Sequence, residues 1–176
     1  TLGDLLKFMM IHSANDAAQQ VACSFGNGKS AAFIARMNET ARQVGWSSFK
    51  FYNAHGLPEG SRLQENVGSA LEVAELTGEL LGYPEVMAWA GTRKSTIPRS
   101  AIRKTERLLI NRNSLLFTCP GVIGMKTGTT GKAGCCISAV CRRQERTIIV
   151  VVMGCPTDRQ RDELGTALIE WAYKKK

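Results

Sequence analysis

Apolar residues recur at helical spacing through the first half of the chain and shift to strand-like runs in the second. Thr1-Leu2-Gly3-Asp4 reads as a capping box, with a hydroxyl at the cap and a carboxylate three residues on. Leu2, Leu5, Leu6 and Met9 then mark one face of a helix from about residue 2 to 12, which delivers Ser13 at its end. Asn15 or Asp16 stands where it would cap a second helix, running through Val21 to about Phe25 and broken by Gly26-Asn27-Gly28. Phe33, Met37, Ala41 and Val44 predict a third helix closed by Gly45. Phe49 to Asn53 reads as extended, and His55-Gly56-Leu57-Pro58 as a turn. Ser69-x-x-Glu72 predicts the start of a helix through Leu71, Ala74 and Leu81, ended by Gly82.

Beyond this point the period changes. Arg93 to Ile97 and Ala101 to Leu109 read as strands or loops of a basic excursion. Val122 to Thr127, Gly134 to Arg142 and Thr147 to Cys155 then read as three strands. The last contains Ile148-Ile149-Val150-Val151-Val152, a run suited to a sheet centre. Short polar turns between them imply antiparallel pairing. A closing helix from about Asp158 sets Leu164, Leu168 and Trp171 on one face, expected to cover the sheet. The pattern predicts one α+β domain over residues 1–176, an antiparallel sheet packed against helices.

Composition narrows the function classes. Of 176 residues, 44% are apolar, enough for a core. No apolar run approaches the ~18 residues that span a bilayer, and the opening segment lacks the basic leader and cleavage site of a signal peptide. The net charge of +8 favours anionic partners. Its residues fall in separate groups: Arg93, Lys94, Arg99, Arg103, Lys104 and Arg107; Arg142, Arg143 and Arg146 near a turn; Lys174 to Lys176. They lack the aromatic interleaving that stacks bases, so no nucleic-acid partner is implied. The six cysteines form no Cys-x-x-Cys and only two histidines exist, so neither a metal site nor a cofactor is implied. Cys135 and Cys136 should face opposite sides of a strand. The cysteines read as small buried thiols, with disulfide pairing left open.

The chemistry sits in two short runs. Ser13-Ala14-Asn15 ends the first helix, and Lys126-Thr127-Gly128 lies within Gly124-Met125-Lys126-Thr127-Gly128-Thr129-Thr130. A Ser-x-Asn turn and a Lys-Thr-Gly strand are two of the three parts of the acyl-transfer site in enzymes that react with penicillin. With His55-Gly56-Leu57, Asn111-Arg112-Asn113-Ser114-Leu115-Leu116 and Ala133-Gly134 in the same order, the chain resembles the D-alanyl-D-alanine carboxypeptidases, the low-molecular-mass penicillin-binding proteins. The resemblance covers nearly the whole chain and implies a β-lactamase/DD-peptidase-like fold. It implies a periplasmic or cell-envelope enzyme that cleaves peptidoglycan stem peptides through an acyl-enzyme and is inhibited by β-lactams.

It also assigns roles. Ser13 would pass a proton between a lysine and the departing amine. Lys126 would give the cleft a positive potential that favours the substrate carboxylate. Asn15 would position the substrate amide, and Thr127 would bond the carboxylate beside Arg112. Gly128 would let a peptide lie along the strand edge. The Thr129 backbone N–H would form half of an oxyanion hole; many relatives carry an aromatic residue or histidine at that position. Plainer readings stand beside these: Ser13 and Asn15 as helix caps, Lys126 as an edge-protecting charge, Arg112 as a surface residue, and His55 as a turn residue rather than a base.

The third part of the site, a Ser-x-x-Lys nucleophile, has no match in a helix. Ser47-Ser48-Phe49-Lys50 fits the spacing but follows a helix stop and alternates like a strand, which sends its ends to opposite faces. The resemblance therefore implies a partial catalytic domain, without its first motif and N-terminal strands, and inactive alone. An open sheet edge would be free to take that missing segment or another chain. Membrane association would reside in parts C-terminal to these residues. Two alternatives remain. One is a non-catalytic relative that binds peptidoglycan or a partner. The other is a piece of a class A-like β-lactamase, for which Glu59 and Glu65 are the nearby carboxylates, neither in a Glu-x-x-x-Asn pattern.

Overall fold

The computed structural model describes residues 1–60, 64–101 and 104–175. Its first helix, α1 (Leu2–His12), opens with the expected reciprocal cap, the Asp4 N–H donating to the Thr1 hydroxyl at 3.2 Å. The second, α2 (Asn15–Phe25), is not capped by Asn15 or Asp16. Its N-cap is Ala14, and the Asp16 carboxylate accepts instead from the Ala17 N–H at 2.8 Å. The physical reason is Ser13, whose left-handed backbone (φ 59°) turns the chain so tightly that the helix restarts at Asn15. In α3 (Ser30–Gln43) the C-terminus closes as a Schellman motif. Trp46 N–H donates to the Ala41 carbonyl and Gly45 N–H to the Arg42 carbonyl, with Gly45 at φ 84°.

The extended reading of Phe49 to Asn53 fails. Only Lys50 makes a ladder bridge, to Val67. The segment is held by side-chain amides: Asn38 bonds both the N–H and the carbonyl of Phe51 at 2.8 Å, and the Asn66 oxygen accepts from Tyr52 N–H at 2.8 Å. These amides satisfy the backbone that a neighbouring strand would otherwise pair. Ser48 is part of the same scaffold. Its hydroxyl donates to the Glu72 carboxylate and accepts from Ser69 N–H, and no helix carries Ser47 and Lys50 on one face.

Ser69 caps α4 (Ala70–Leu80), accepting from Glu72 N–H. An unforeseen helix, α5 (Pro84–Gly91), follows, started by proline at its first position. The basic excursion is a hairpin of β1 (Lys94–Ile97) and β2 (Arg107–Ile110), antiparallel and separate from the main sheet. A single turn, α6 (Leu115–Thr118), leads to β3 (Val122–Thr130), β4 (Gly134–Arg143) and β5 (Arg146–Cys155), paired antiparallel in that order.

Helices cover both faces of this sheet. On one side α6 and α7 (Asp158–Lys174) bury Leu115, Leu116, Ile137, Ala139, Val150, Val152 and Ile169 together. On the other, α4 and α5 bury Ala90, Met125 and Val140 against Leu80, Val86 and Met87. A buried hydroxyl pair, Thr77 and Ser138 at 2.7 Å, ties α4 to β4. Of the expected face of α7, only Leu168 packs against the core. Leu164 and Trp171 are exposed, and Arg161, Gly165 and Ile169 face inward. Gly165 explains the rotation: a β-carbon there would stand 3.3 Å from Leu115, so its absence lets the helix settle onto the core.

All six cysteines carry free thiols; Cys135 is buried and Cys136 half-buried, on opposite sides of β4. The arginines at the β4–β5 turn serve α7: Arg143 pairs with Glu170 at 2.6 Å, and Arg146 donates to the Ala172 and Lys175 carbonyls at the helix end. Arg103 and Lys176 lie outside the described residues. Among the described residues, no helix is long and apolar enough to cross a membrane, and no His, Cys, Asp and Glu group is disposed to hold a metal.

Candidate active site

Ser13 is placed by the end of α1. Ile11 packs with Ile97 and Leu109 of the hairpin, fixing that helix end, and its carbonyl accepts from Arg112 N–H at 3.2 Å. The left-handed conformation costs a residue with a β-carbon about 1–2 kcal/mol. Here it turns the Ser13 hydroxyl toward β3.

The hydroxyl meets Lys126. The Lys126 ammonium donates to Ser13 Oγ at 2.8 Å and to its neighbour's carbonyl, Thr127 O, at 2.8 Å, across 113 residues of chain. Burial, reinforced by the like charge of Arg112, lowers the Lys126 pKa from 10.5 to about 8. Among the described residues β3 pairs only with β4, so its other edge is unpaired there and borders the cleft. Thr127 and Thr129 line that border. Beyond its chain neighbours, no atom of the described residues lies within 4 Å of where a β-carbon on Gly128 would stand, so the strand edge is open there.

Arg112 is projected by its neighbours. Asn111 and Asn113 are buried, and the Asn111 amide donates to the Ala90 and Thr92 carbonyls while its oxygen accepts from Asn113 N–H. The Asn113 oxygen accepts from Leu115 N–H at 3.1 Å. With both asparagines turned inward, Arg112 stands exposed on the cleft wall.

Two cavities flank the β3 edge and share Ser13. One, of about 360 Å³, is lined by Asn15, His55, Glu65, Asn66 and Lys126 together with Thr127 to Thr130. The other, of about 310 Å³, brings Arg112, Asp158 and Arg161 to Thr127, Gly128 and Thr129. Thus Ser13, Asn15, Arg112, Lys126, Thr127, Gly128 and Thr129 converge on one groove. His55 serves its turn, its Nδ1 accepting from Leu57 N–H at 3.2 Å.

One wall residue, Arg161, escapes the sequence reading, and a second, Glu65, stands in the wall in a place that reading did not give it. Arg161 is buried between Asp158 at 2.5 Å and Asp162 at 2.8 Å, and Ser114 donates its hydroxyl to the Asp162 carboxylate. Its only sequence signal was the i, i+3 spacing from Asp158, which any surface helix shows. Glu65 was named only as a β-lactamase candidate; it lines the groove and accepts from the Thr130 hydroxyl at 2.5 Å. Glu59 instead pairs its backbone with Gln64.

An α+β fold with a Lys-Thr-Gly sheet edge facing a Ser-x-Asn turn defines the penicillin-recognising serine peptidases and β-lactamases. Sequence comparison narrows this class. Residues 1–157 match the family model of D-alanyl-D-alanine carboxypeptidases, peptidase family S11, and the chain belongs to that family. It is 31% identical over 175 residues to the D-alanyl-D-alanine carboxypeptidase DacF of Bacillus subtilis (strain 168), with 99% of this chain and 43% of that protein covered. Penicillin-binding protein D2 of Listeria monocytogenes, solved in its cefotaxime-bound form, superposes with a TM-score of 0.84 at 27% identity, over 97% of this chain and 65% of that one. The D-alanyl-D-alanine carboxypeptidase DacD of Francisella tularensis gives a TM-score of 0.84 at 25% identity, over 97% of this chain and 51% of that one. The chain thus spans under half the length of DacF.

Proposed function

We propose that residues 1–176 form most of one catalytic domain of a serine-type D-Ala-D-Ala carboxypeptidase that trims peptidoglycan stem peptides in the bacterial envelope, on the periplasmic side of the membrane, and is acylated by β-lactams. The observation that carries this reading is the 2.8 Å contact of Lys126 Nζ with Ser13 Oγ on an unpaired sheet edge. In the proposed mechanism the stem peptide adds to the edge of β3. Lys126, Thr127 and Arg112 take its terminal carboxylate, Asn15 holds the preceding amide, and the Thr129 N–H stabilises the charge developing on the scissile carbonyl oxygen. Ser13 relays a proton to the departing D-alanine. The acyl group goes to a serine of a Ser-x-x-Lys helix, which is not among these residues.

The test uses labelled penicillin and a Lys-D-Ala-D-Ala peptide. The protein expressed from its complete gene should release D-alanine and take up the label, whereas residues 1–176 alone should take up none. A complete protein that does neither would end this reading. Covalent capture by residues 1–176 alone would show that their nucleophile had been overlooked.

A further inference from the structure

The groove is electrically lopsided in a way that the proposed mechanism leaves unused. Arg112, at the Thr127 end, makes no ion pair among the described residues and supplies positive charge for a terminal carboxylate. At the Thr130 end stands Glu65, half-buried, one oxygen accepting from the Thr130 hydroxyl at 2.5 Å. That hydroxyl also accepts from Ala133 N–H at 3.0 Å, so the contact is fixed at the β3–β4 turn. The other Glu65 oxygen accepts no hydrogen bond and faces no Lys or Arg within ion-pair range among the described residues. With no cation beside it among the described residues and one oxygen free, this fixed carboxylate can accept a cation from a ligand in the groove.

Spacing along the strand says where that cation would sit. From Thr127 to Thr130 is three residues, roughly 10 Å of strand. A peptide added to β3 with its carboxylate at Thr127 and its scissile carbonyl at Thr129 points its next residue toward Thr130. The α-carbon of the residue before the D-Ala-D-Ala pair lies about 7 Å from the terminal one. A side-chain amine on a stem of a few carbons covers what remains.

Resting on the carboxypeptidase reading, we propose that Glu65 is a specificity-determining residue that selects peptides with a free side-chain amine on the residue preceding the D-Ala-D-Ala pair. A charge-assisted, partly exposed pair of this kind is worth about a fivefold preference. The test compares kcat/KM of the protein from its complete gene on Nα-acetyl-Lys-D-Ala-D-Ala with the ε-amine free and with it acetylated. The wild type should favour the free amine about fivefold. Glu65→Asp should keep part of that preference, Glu65→Gln should bring the ratio to about one, and Glu65→Lys should reverse it. A role confined to holding Thr130 would slow both peptides alike and would not invert the ratio. A wild type indifferent to acetylation, or a Glu65→Gln variant with the wild-type ratio, overturns the assignment while the carboxypeptidase reading stands. Cleavage of neither peptide overturns the carboxypeptidase reading and this assignment with it.

Discussion

The role proposed for Lys126 and its surroundings pull its pKa in opposite directions. Holding a carboxylate calls for the charged form, whereas enclosure beside Arg112 penalises it, and the balance falls at about 8. Below that pH the folded protein bears the full burial cost of the charge. Between pH 8 and 10.5 the unfolded chain keeps a proton that the folded one has released, so this residue's destabilisation is relieved as pH rises across that window. The functional consequence runs the other way. Affinity for carboxylate-bearing peptides should weaken as pH rises through about 8, with a one-proton slope in KM. Lys126→Arg, which keeps its charge to far higher pH, should move that limb out of range. A KM profile flat from pH 7 to 9.5 in the wild type would show that Lys126 does not hold the carboxylate.

At the scale of elements, the edge of β3 decides what can enter. Gly128 is not required for packing, since a β-carbon there meets no atom of the described residues within 4 Å beyond its chain neighbours. Gly128→Val should therefore change unfolding free energy by less than ~1 kcal/mol in a urea titration. In the protein from its complete gene, the same change should lower the rate of penicillin capture more than about tenfold, because the new methyl groups stand where a ligand backbone would lie. A variant that folds well and captures penicillin at the wild-type rate would remove the strand-addition geometry. Such long, strongly patterned elements were legible in the sequence: α1 from its capping box, α3 from its glycine stop, and β5 from its branched run. So were Ser13 and Lys126, because each sits in a short motif at the end or edge of such an element. The segment from Phe49 to Asn53 was not legible, since its partners are the amides of Asn38 and Asn66, more than a turn or hairpin away. Nor was α5, whose apolar residues lack a clear stripe because it is wedged against the sheet. The facing side of α7 was read correctly only at Leu168, because a glycine, silent in any hydrophobic count, governs how the helix sits.

For the whole molecule, the groove exists only because distant parts of the chain are held in register. The hairpin of β1 and β2 fixes the end of α1, the paired asparagines fix Arg112, and the sheet sandwiched between helices fixes Lys126. None of these parts carries chemistry alone, which is why Arg161, and the place of Glu65 in the groove wall, emerged only once the walls were assembled. Four of the arginines find their places at this scale. Arg143 and Arg146 secure the end of α7, Arg161 is locked between two aspartates, and Arg112 is left to face the groove. The most direct test is a double-mutant cycle on the rate of penicillin acylation, measured on the protein from its complete gene. Ser13→Ala and Lys126→Ala should each lower the second-order rate constant by roughly 100-fold, and the double variant should fall little further, as expected for two groups acting as a unit. Losses that multiply to roughly 10,000-fold, or a rate that either single change leaves intact, would contradict a shared role for the two residues.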